Sequence, residues 1–144
     1  MRLVWPVLEI VKDDGLQGAI WLSKMGFFGH RVVRKYQHSP EVAKYNAEYA
    51  YHYAKYFVKG PWPDGEAVIS MDAEYSYSYA HTIIKDRWSL GEPIILTRAI
   101  MAYYYAENVI KGIWPDGEYI INTDRLCSVW YSHNFNRSIP HPDW

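Results

Sequence analysis

Ala73, Tyr77, Ala80 and Ile84 are spaced four, three and four residues apart, which draws one stripe along a helix and has no counterpart in a strand. The same stripe returns as Ala47, Tyr51, Ala54 and Val58, and again as Ala99, Tyr103, Ala106 and Ile110. Long helices are therefore expected over approximately 47–59, 73–85 and 99–111. Asp72 is placed to cap the middle one, Asp86-Arg87-Trp88 breaks it, and Gly60 and Gly112 are expected to stop the other two. A shorter apolar group follows each: Val68-Ile69, Ile94-Ile95-Leu96 and Ile120-Ile121. Pro93 keeps Glu92 extended and suits the first turn of a helix, so a short second helix is predicted. A rival pattern exists, because Tyr75-Ser76-Tyr77-Ser78-Tyr79 alternates with period two and Pro93-Ile94-Ile95-Leu96 could be a buried strand. That would give an α/β or all-β solenoid; the four-three-four spacing favours helices.

The period is constant. Trp62, Trp88 and Trp114 lie 26 residues apart, as do Glu66, Glu92 and Glu118, Tyr53, Tyr79 and Tyr105, and Lys59, Lys85 and Lys111. Self-similarity at this length marks a stacked repeat architecture, in which each unit buries its apolar side against its neighbours. The fold class expected is mainly α: helix-pair repeats of about 26 residues stacked as a small solenoid. Residues 39–144 form the array, with core units at about 47–72, 73–98 and 99–124 and a partial unit over 125–144. Residues 1–38 fall out of register and read as a divergent N-terminal cap. There Asp13-Asp14-Gly15, between Val7–Val11 and Gly18–Leu22, is a turn that would suit a β-hairpin.

Comparing the copies separates packing from display. Ala47/Ala73/Ala99, Ala54/Ala80/Ala106 and Val58/Ile84/Ile110 stay small or apolar and are expected to pack. The Trp column reads as filler between units. The Lys column sits where a cation offsets a helix dipole, and Glu66, Glu92 and Glu118 read as caps of the second helices, with capping-box spacing in Ser89-Leu90-Gly91-Glu92. Three columns drift: His52/Ser78/Tyr104, Lys55/His81/Glu107 and Tyr56/Thr82/Asn108. With the Lys column they are spaced to share one solvent face, and His52, Tyr56, His81 and Tyr104 are the candidate partner-binding residues on it.

Composition narrows the classes. The chain is 49% hydrophobic and 17% aromatic with a formal charge of -1, which excludes a disordered tail and gives no global attraction to nucleic acid. Charge is uneven, since residues 1–40 hold six Lys/Arg against three Asp/Glu. Arg31, Arg34 and Lys35, within the basic run 30–38, are the candidates for a second binding patch. No apolar run approaches a membrane span and the start lacks a signal-like stretch. Cys127 is the only cysteine, so an intracellular, reducing compartment is expected and an intrachain disulfide is excluded. The six histidines show no zinc-protease spacing and no phosphate-cradling glycine loop is present. No catalytic residue, cofactor or metal is therefore assigned.

The segments Tyr77-Ser78-Tyr79-Ala80-His81-Thr82-Ile83-Ile84-Lys85-Asp86-Arg87-Trp88-Ser89-Leu90-Gly91-Glu92-Pro93 and Ala102-Tyr103-Tyr104-Tyr105-Ala106-Glu107-Asn108-Val109-Ile110-Lys111-Gly112-Ile113-Trp114-Pro115-Asp116-Gly117-Glu118 resemble a short tandem repeat, AYxYAxxVIxGRWPEaE, of uncharacterised tailed-bacteriophage proteins. The likeness covers roughly residues 40–135 and departs at Pro61, Asp86 and Ser89. It carries no activity, cofactor or catalytic residue. It implies a viral origin, the cytoplasm of an infected bacterium, and a host, defence or viral protein as target. The leading expectation is thus a non-enzymatic protein-interaction module, an inhibitor among its readings. A nucleic-acid binder using the basic run and the Lys column is the second reading, and a small-molecule or nucleotide enzyme with a site between repeats the third.

Overall fold

The computed structural model describes residues 15–140, which are mainly helical with no strand among them. The chain divides into two compact units, Met1–Val68 and Ile69–Trp144.

In the first unit, α1 (Leu16–Lys24), α2 (Arg31–Lys35) and α3 (Pro40–Ala43) precede α4 (Ala47–Tyr53). Ala19, Leu22, Val32, Val33 and Val42 form its core, with Trp21, Phe27, Phe28 and Tyr49 packed around them. Asn46 Oδ1 caps α4 by accepting from Tyr49 N–H at 3.0 Å, and Tyr49 Oη donates to Phe28 O at 3.2 Å. The segment Gly18–Leu22, expected as a hairpin strand, lies inside α1; the other strand lies outside the described residues. Gly18 and Ala19 are buried one turn before Leu22 and Ser23, a helical and not an alternating pattern.

The second unit holds α6 (Ala73–Tyr79), α7 (Glu92–Ile95), α8 (Ala99–Tyr105), α9 (Pro115–Ile121) and α10 (Arg125–Phe135), and the chain passes from one unit to the next near the end of α5 (Pro63–Ile69). Each of α4, α6 and α8 widens in its last turn into a π-helical turn, Ala54–Val58, Ala80–Ile84 and Ala106–Ile110. The helical spans end one residue before those read from the sequence. Asp72 and Asp124 cap α6 and α10 by accepting from Tyr75 N–H at 2.9 Å and Cys127 N–H at 3.0 Å.

How the helices stop is a correction. The left-handed residue is not Gly60 or Gly112 but the lysine before each site, with φ of 59° at Lys59, 60° at Lys85 and 59° at Lys111. Lys59 and Lys85 N–H each donate at 2.7 Å to the alanine carbonyl five residues back, Ala54 O and Ala80 O. The extra residue in the π turn moves the left-handed position onto the lysine. Helix α10 has no such turn and ends at Asn136, φ 47°, a residue type that tolerates this conformation.

The buried stripe also differs in part. Ala54, Ala80 and Ala106 are fully buried as expected, but Val58 is 40% exposed and Ile84 and Ile110 are half-buried, as are Ala47 and Ala99. The π turn rotates positions after the second alanine away from the core. A small column, Ala50, Ser76, Ala102 and Ser128, is buried instead, with Ser76 Oγ donating to Ile69 O at 2.9 Å.

The Trp column is buried throughout. Each indole lies beside a tyrosine of the preceding helix, with centroids 4.6 Å apart for Tyr53–Trp62, 4.8 Å for Tyr79–Trp88 and 4.9 Å for Tyr105–Trp114. Its other edge lies against the glycine three residues on. A Cβ at Gly91 would fall 2.7 Å from Trp88 Cζ3, and one at Gly117 would fall 2.9 Å from Trp114 Cδ2, well inside van der Waals contact.

Two substitutions test this packing. Gly117→Ala should destabilise the protein by about 1–3 kcal/mol through overpacking, whereas Gly60→Ala, where an added Cβ would meet nothing within 4 Å, should change stability by less than about 0.5 kcal/mol, like most surface substitutions. Trp88→Ala should remove about 3–5 kcal/mol. Urea denaturation of the three variants reads all three values; equal midpoints for the two glycine variants would refute the indole–glycine contact.

Candidate interaction surface

The repeats of the second unit are joined by two polar relays. In the first, Tyr105 Oη accepts from Trp88 N–H at 2.8 Å and donates to Glu92 Oε1 at 2.8 Å. Arg87 then grips Glu92 with Nε and Nη2, both at 2.9 Å. One repeat later Tyr131 Oη accepts from Trp114 N–H at 2.8 Å and donates to Glu118 Oε1 at 3.0 Å. The arginine column holds Ile113 here, and Arg137 supplies the grip from the end of α10, Nε at 2.8 Å and Nη2 at 3.1 Å. Glu92 and Glu118 are therefore not helix caps; their carboxylates tie a tyrosine of the next helix to the tryptophan turn. Burial alone would raise the Glu92 carboxyl, but its bonds from Arg87 and Tyr105 outweigh that and hold it below the ordinary value.

The second relay lies on the helix side expected to face solvent. Asn108 Nδ2 donates to Tyr77 Oη at 3.1 Å and Asn134 Nδ2 to Tyr103 Oη at 2.7 Å, each across 31 residues. Asn134 also donates to Glu107 Oε1 at 2.9 Å, which accepts from Tyr103 Oη at 3.0 Å. The drifting columns thus do not form one free face. The neighbouring helix covers part of it, leaving Glu107 and Asn108 half-buried while His81 is exposed.

Along this seam the aromatic rings form a continuous row. His81 stacks on Tyr77 with centroids 5.6 Å apart and planes at 11°. Tyr77 meets Tyr104 at 5.9 Å, Tyr104 meets Tyr103 at 5.5 Å, and Tyr103 meets Trp130 at 5.7 Å. The row presents exposed His81 and Trp130 at its ends and half-buried Tyr77 and Tyr104 between them, while Tyr103 is buried beneath. Of the predicted partner-binding residues, His81 and Tyr104 are brought together here. His52 and Tyr56 lie in the first unit, 5.9 Å apart, with Lys55 Nζ 5.2 Å from the Tyr56 ring centroid. Arg31, Arg34 and Lys35 are exposed on α2, while Val32 and Val33 between them are buried. Sequence comparison missed Tyr77, which recurs and so looked purely structural, and Trp130. The signal for Trp130 was its place 26 residues after Tyr104.

Beside the row is a depression of about 220 Å³ lined by Ala80, His81, Lys85, Asn108, Val109 and Lys111. That lining carries no carboxylate and no nucleophilic hydroxyl or thiol. Among the described residues no cluster of three or more His, Cys, Asp or Glu could hold a metal ion. Cys127 is buried, and burial pushes its thiol up to about 12, helped by Asp124, the opposite of an activated nucleophile. No helix among the described residues is long and apolar enough to cross a membrane. No family model matches this chain, and neither curated proteins nor solved structures include a significant match to it.

The relays set an alkaline limit. Burial, followed by bonding to Glu107, raises Tyr103 from 10.0 to about 12. Tyr131 also rises to about 12, by burial first, with its bond to Glu118 adding to the rise and the one from Trp114 opposing it. The native state then holds these phenol protons more tightly than the unfolded chain does. Their contribution to stability is constant below pH of about 10 and is lost as pH rises towards about 12. Urea unfolding followed across that window, alongside tyrosinate absorbance, should show stability and ionisation changing together. Stability that is unchanged at a pH of about 12 would contradict the relays.

Proposed function

We infer that the chain is a non-enzymatic protein-interaction module, a scaffold of stacked helix pairs in the manner of a small solenoid that binds another protein through the aromatic row of its second unit. The observation that carries this reading is the row itself: tyrosine, tryptophan and histidine side chains in contact, partly exposed, and held rigid by hydrogen bonds from Asn108 and Asn134. Residues of this kind carry most interface energy where they are pre-organised. Repeat scaffolds suit such a role because outward positions change without disturbing the stacking. The likeness to tailed-phage repeat proteins supports a host, defence or viral protein as the partner, binding in the cytoplasm of an infected bacterium, and inhibition as the outcome.

The basic face of α2 supports a second reading as a nucleic-acid binder, since Arg31, Arg34 and Lys35 are exposed together. Salt separates the two, because phosphate-driven binding weakens steeply as salt rises.

The test is capture of the partner from bacterial host cells by the tagged protein, followed by affinity measurement with the purified partner. His81→Ala combined with Tyr104→Ala should weaken binding by at least about tenfold, which is about 1.4 kcal/mol, with helical content retained. Arg34→Ala with Lys35→Ala should leave it within about twofold, well under about 1 kcal/mol. The reverse ranking, with strong salt dependence, would transfer the function to α2.

A further inference from the structure

The depression of about 220 Å³ beside the aromatic row lies where two π turns pack together, Ala80–Ile84 at the end of α6 and Ala106–Ile110 at the end of α8. Its lining belongs wholly to the second unit. Lys85 and Lys111, the residues that follow the two turns, line it together with His81 and Asn108. Among the described residues neither lysine ammonium has an ion pair or a hydrogen bond. Asp86, next to Lys85 in the chain, is not in the lining, and its Oδ1 accepts from Arg87 N–H at 2.7 Å. Two cations therefore share one concave surface that has no acidic group in it.

Lysine is a costly choice at these positions. Both residues hold the left-handed conformation, with φ of 60° and 59°, which glycine adopts freely and a residue with a Cβ does not. An exposed cation at a helix end gains less from the dipole than this conformation costs, so the dipole alone does not account for it.

The next seam shows which chemical group belongs in such a place. Moving His81, Lys85, Asn108 and Lys111 on by 26 residues gives Glu107, Lys111, Asn134 and Arg137. There Asn134 Nδ2 donates to Glu107 Oε1 at 2.9 Å, and Arg137 is taken by Glu118, with Nε at 2.8 Å. That seam supplies its own anion and has given up one cation. Between α6 and α8 both features are reversed. An imidazole, His81, takes the carboxylate's position, and Lys111 is spared because Arg87 already grips Glu92.

We propose that the seam between these two π turns binds the phosphate group of a small molecule, held by Lys85 and Lys111 with the second N–H of the Asn108 amide as a further donor. Phosphate suits two lysines better than a carboxylate does, because it carries up to two charges and three acceptor oxygens. The depression has room for several waters, and so for one phosphate group. A nucleoside attached to that phosphate has the exposed His81 ring, stacked on Tyr77, to lay its base against. The site goes beyond protein binding by the aromatic row, with which it shares only His81.

The experiment titrates the full chain with inorganic phosphate, AMP and adenosine by isothermal titration calorimetry at fixed ionic strength. One AMP should bind per chain, and adenosine should bind at least about tenfold more weakly, about 1.4 kcal/mol. Tighter binding of AMP than of inorganic phosphate assigns the site to a nucleoside phosphate, and equal affinity assigns it to the free ion. Lys85→Gly and Lys111→Gly should each weaken binding by at least about tenfold while the urea midpoint holds or rises, since glycine suits the left-handed position. Lys59→Gly, in the same column but outside the lining, should bind like the wild type. His81→Glu gives this seam the carboxylate of the next one and should abolish binding with helical content retained. Absence of saturable phosphate or AMP binding by the wild type overturns the proposal. So does wild-type affinity in His81→Glu or in both glycine variants, adenosine binding as tightly as AMP, or an equal loss in Lys59→Gly. Lys85→Gly should still capture a protein partner, so this proposal and the functional reading fail separately.

Discussion

Each of the three full repeats depends on a tryptophan ring pressed between a tyrosine of the preceding helix and the backbone of a glycine three residues later. The ring occupies the volume a glycine Cβ would need, which is why Gly65, Gly91 and Gly117 recur beside Trp62, Trp88 and Trp114. The same glycine lets two helices approach closely: a Cβ on Gly91 would also lie 3.0 Å from Ser76 Cβ, and one on Gly65 would lie 3.2 Å from Ala50 Cβ. Glycine in a helix is unfavourable by about 1 kcal/mol against alanine. Here the burial of a large aromatic, worth several times as much, decides the choice.

From that contact the polar relays follow. Once the indole is seated, its own backbone N–H points to the tyrosine of the next helix, and a buried donor without a partner would cost about 1–3 kcal/mol. Tyr105 and Tyr131 supply the partner, and Glu92 and Glu118 accept the tyrosine protons in turn. The carboxylates then require a cation. Arg87 meets the need from the turn before the tryptophan, and Arg137 from the end of α10. Arg137 can do so because α10 ends without a π turn: its left-handed residue is Asn136, one place earlier than the lysine column, and the next residue is released towards Glu118.

Much of the scaffold was legible from spacing alone. The period, the long helices, the short second helices and the burial of the Trp column all follow from residues that repeat because packing repeats. Three things were not legible, each for a physical reason. A π turn leaves no mark in apolar periodicity, so Val58 looked like core and Gly60 like the helix stop. Glu92 has the spacing of a capping residue, and only the return of the next helix shows that its partners are Arg87 and Tyr105. The Tyr77–Asn108 bond spans 31 residues, more than a full period, so inspection of one unit cannot reveal it. On the candidate surface, drift singles out His81 and Tyr104, whereas Tyr77 and Trp130 join them only through the packing of the helices.

Drift between copies proves to be of two kinds, and the distinction bears on where function can reside. Some columns change because another residue now does the same work. Ile113 replaces arginine where Arg137 reaches Glu118. Such changes are compensated, and they report on packing. Others change with nothing in the seam to answer them. His81 stacks on Tyr77, and its column holds Lys55 and Glu107 elsewhere, three side chains of different charge at one structural position. Glu107 is held by Tyr103 and Asn134, so even there the seam claims one copy of the column. His81 is left as the member whose identity the scaffold does not dictate, and it stands at the exposed end of the aromatic row. A residue with that freedom, fixed in place by a stacked ring, is what selection for a partner can act on without loosening the repeats.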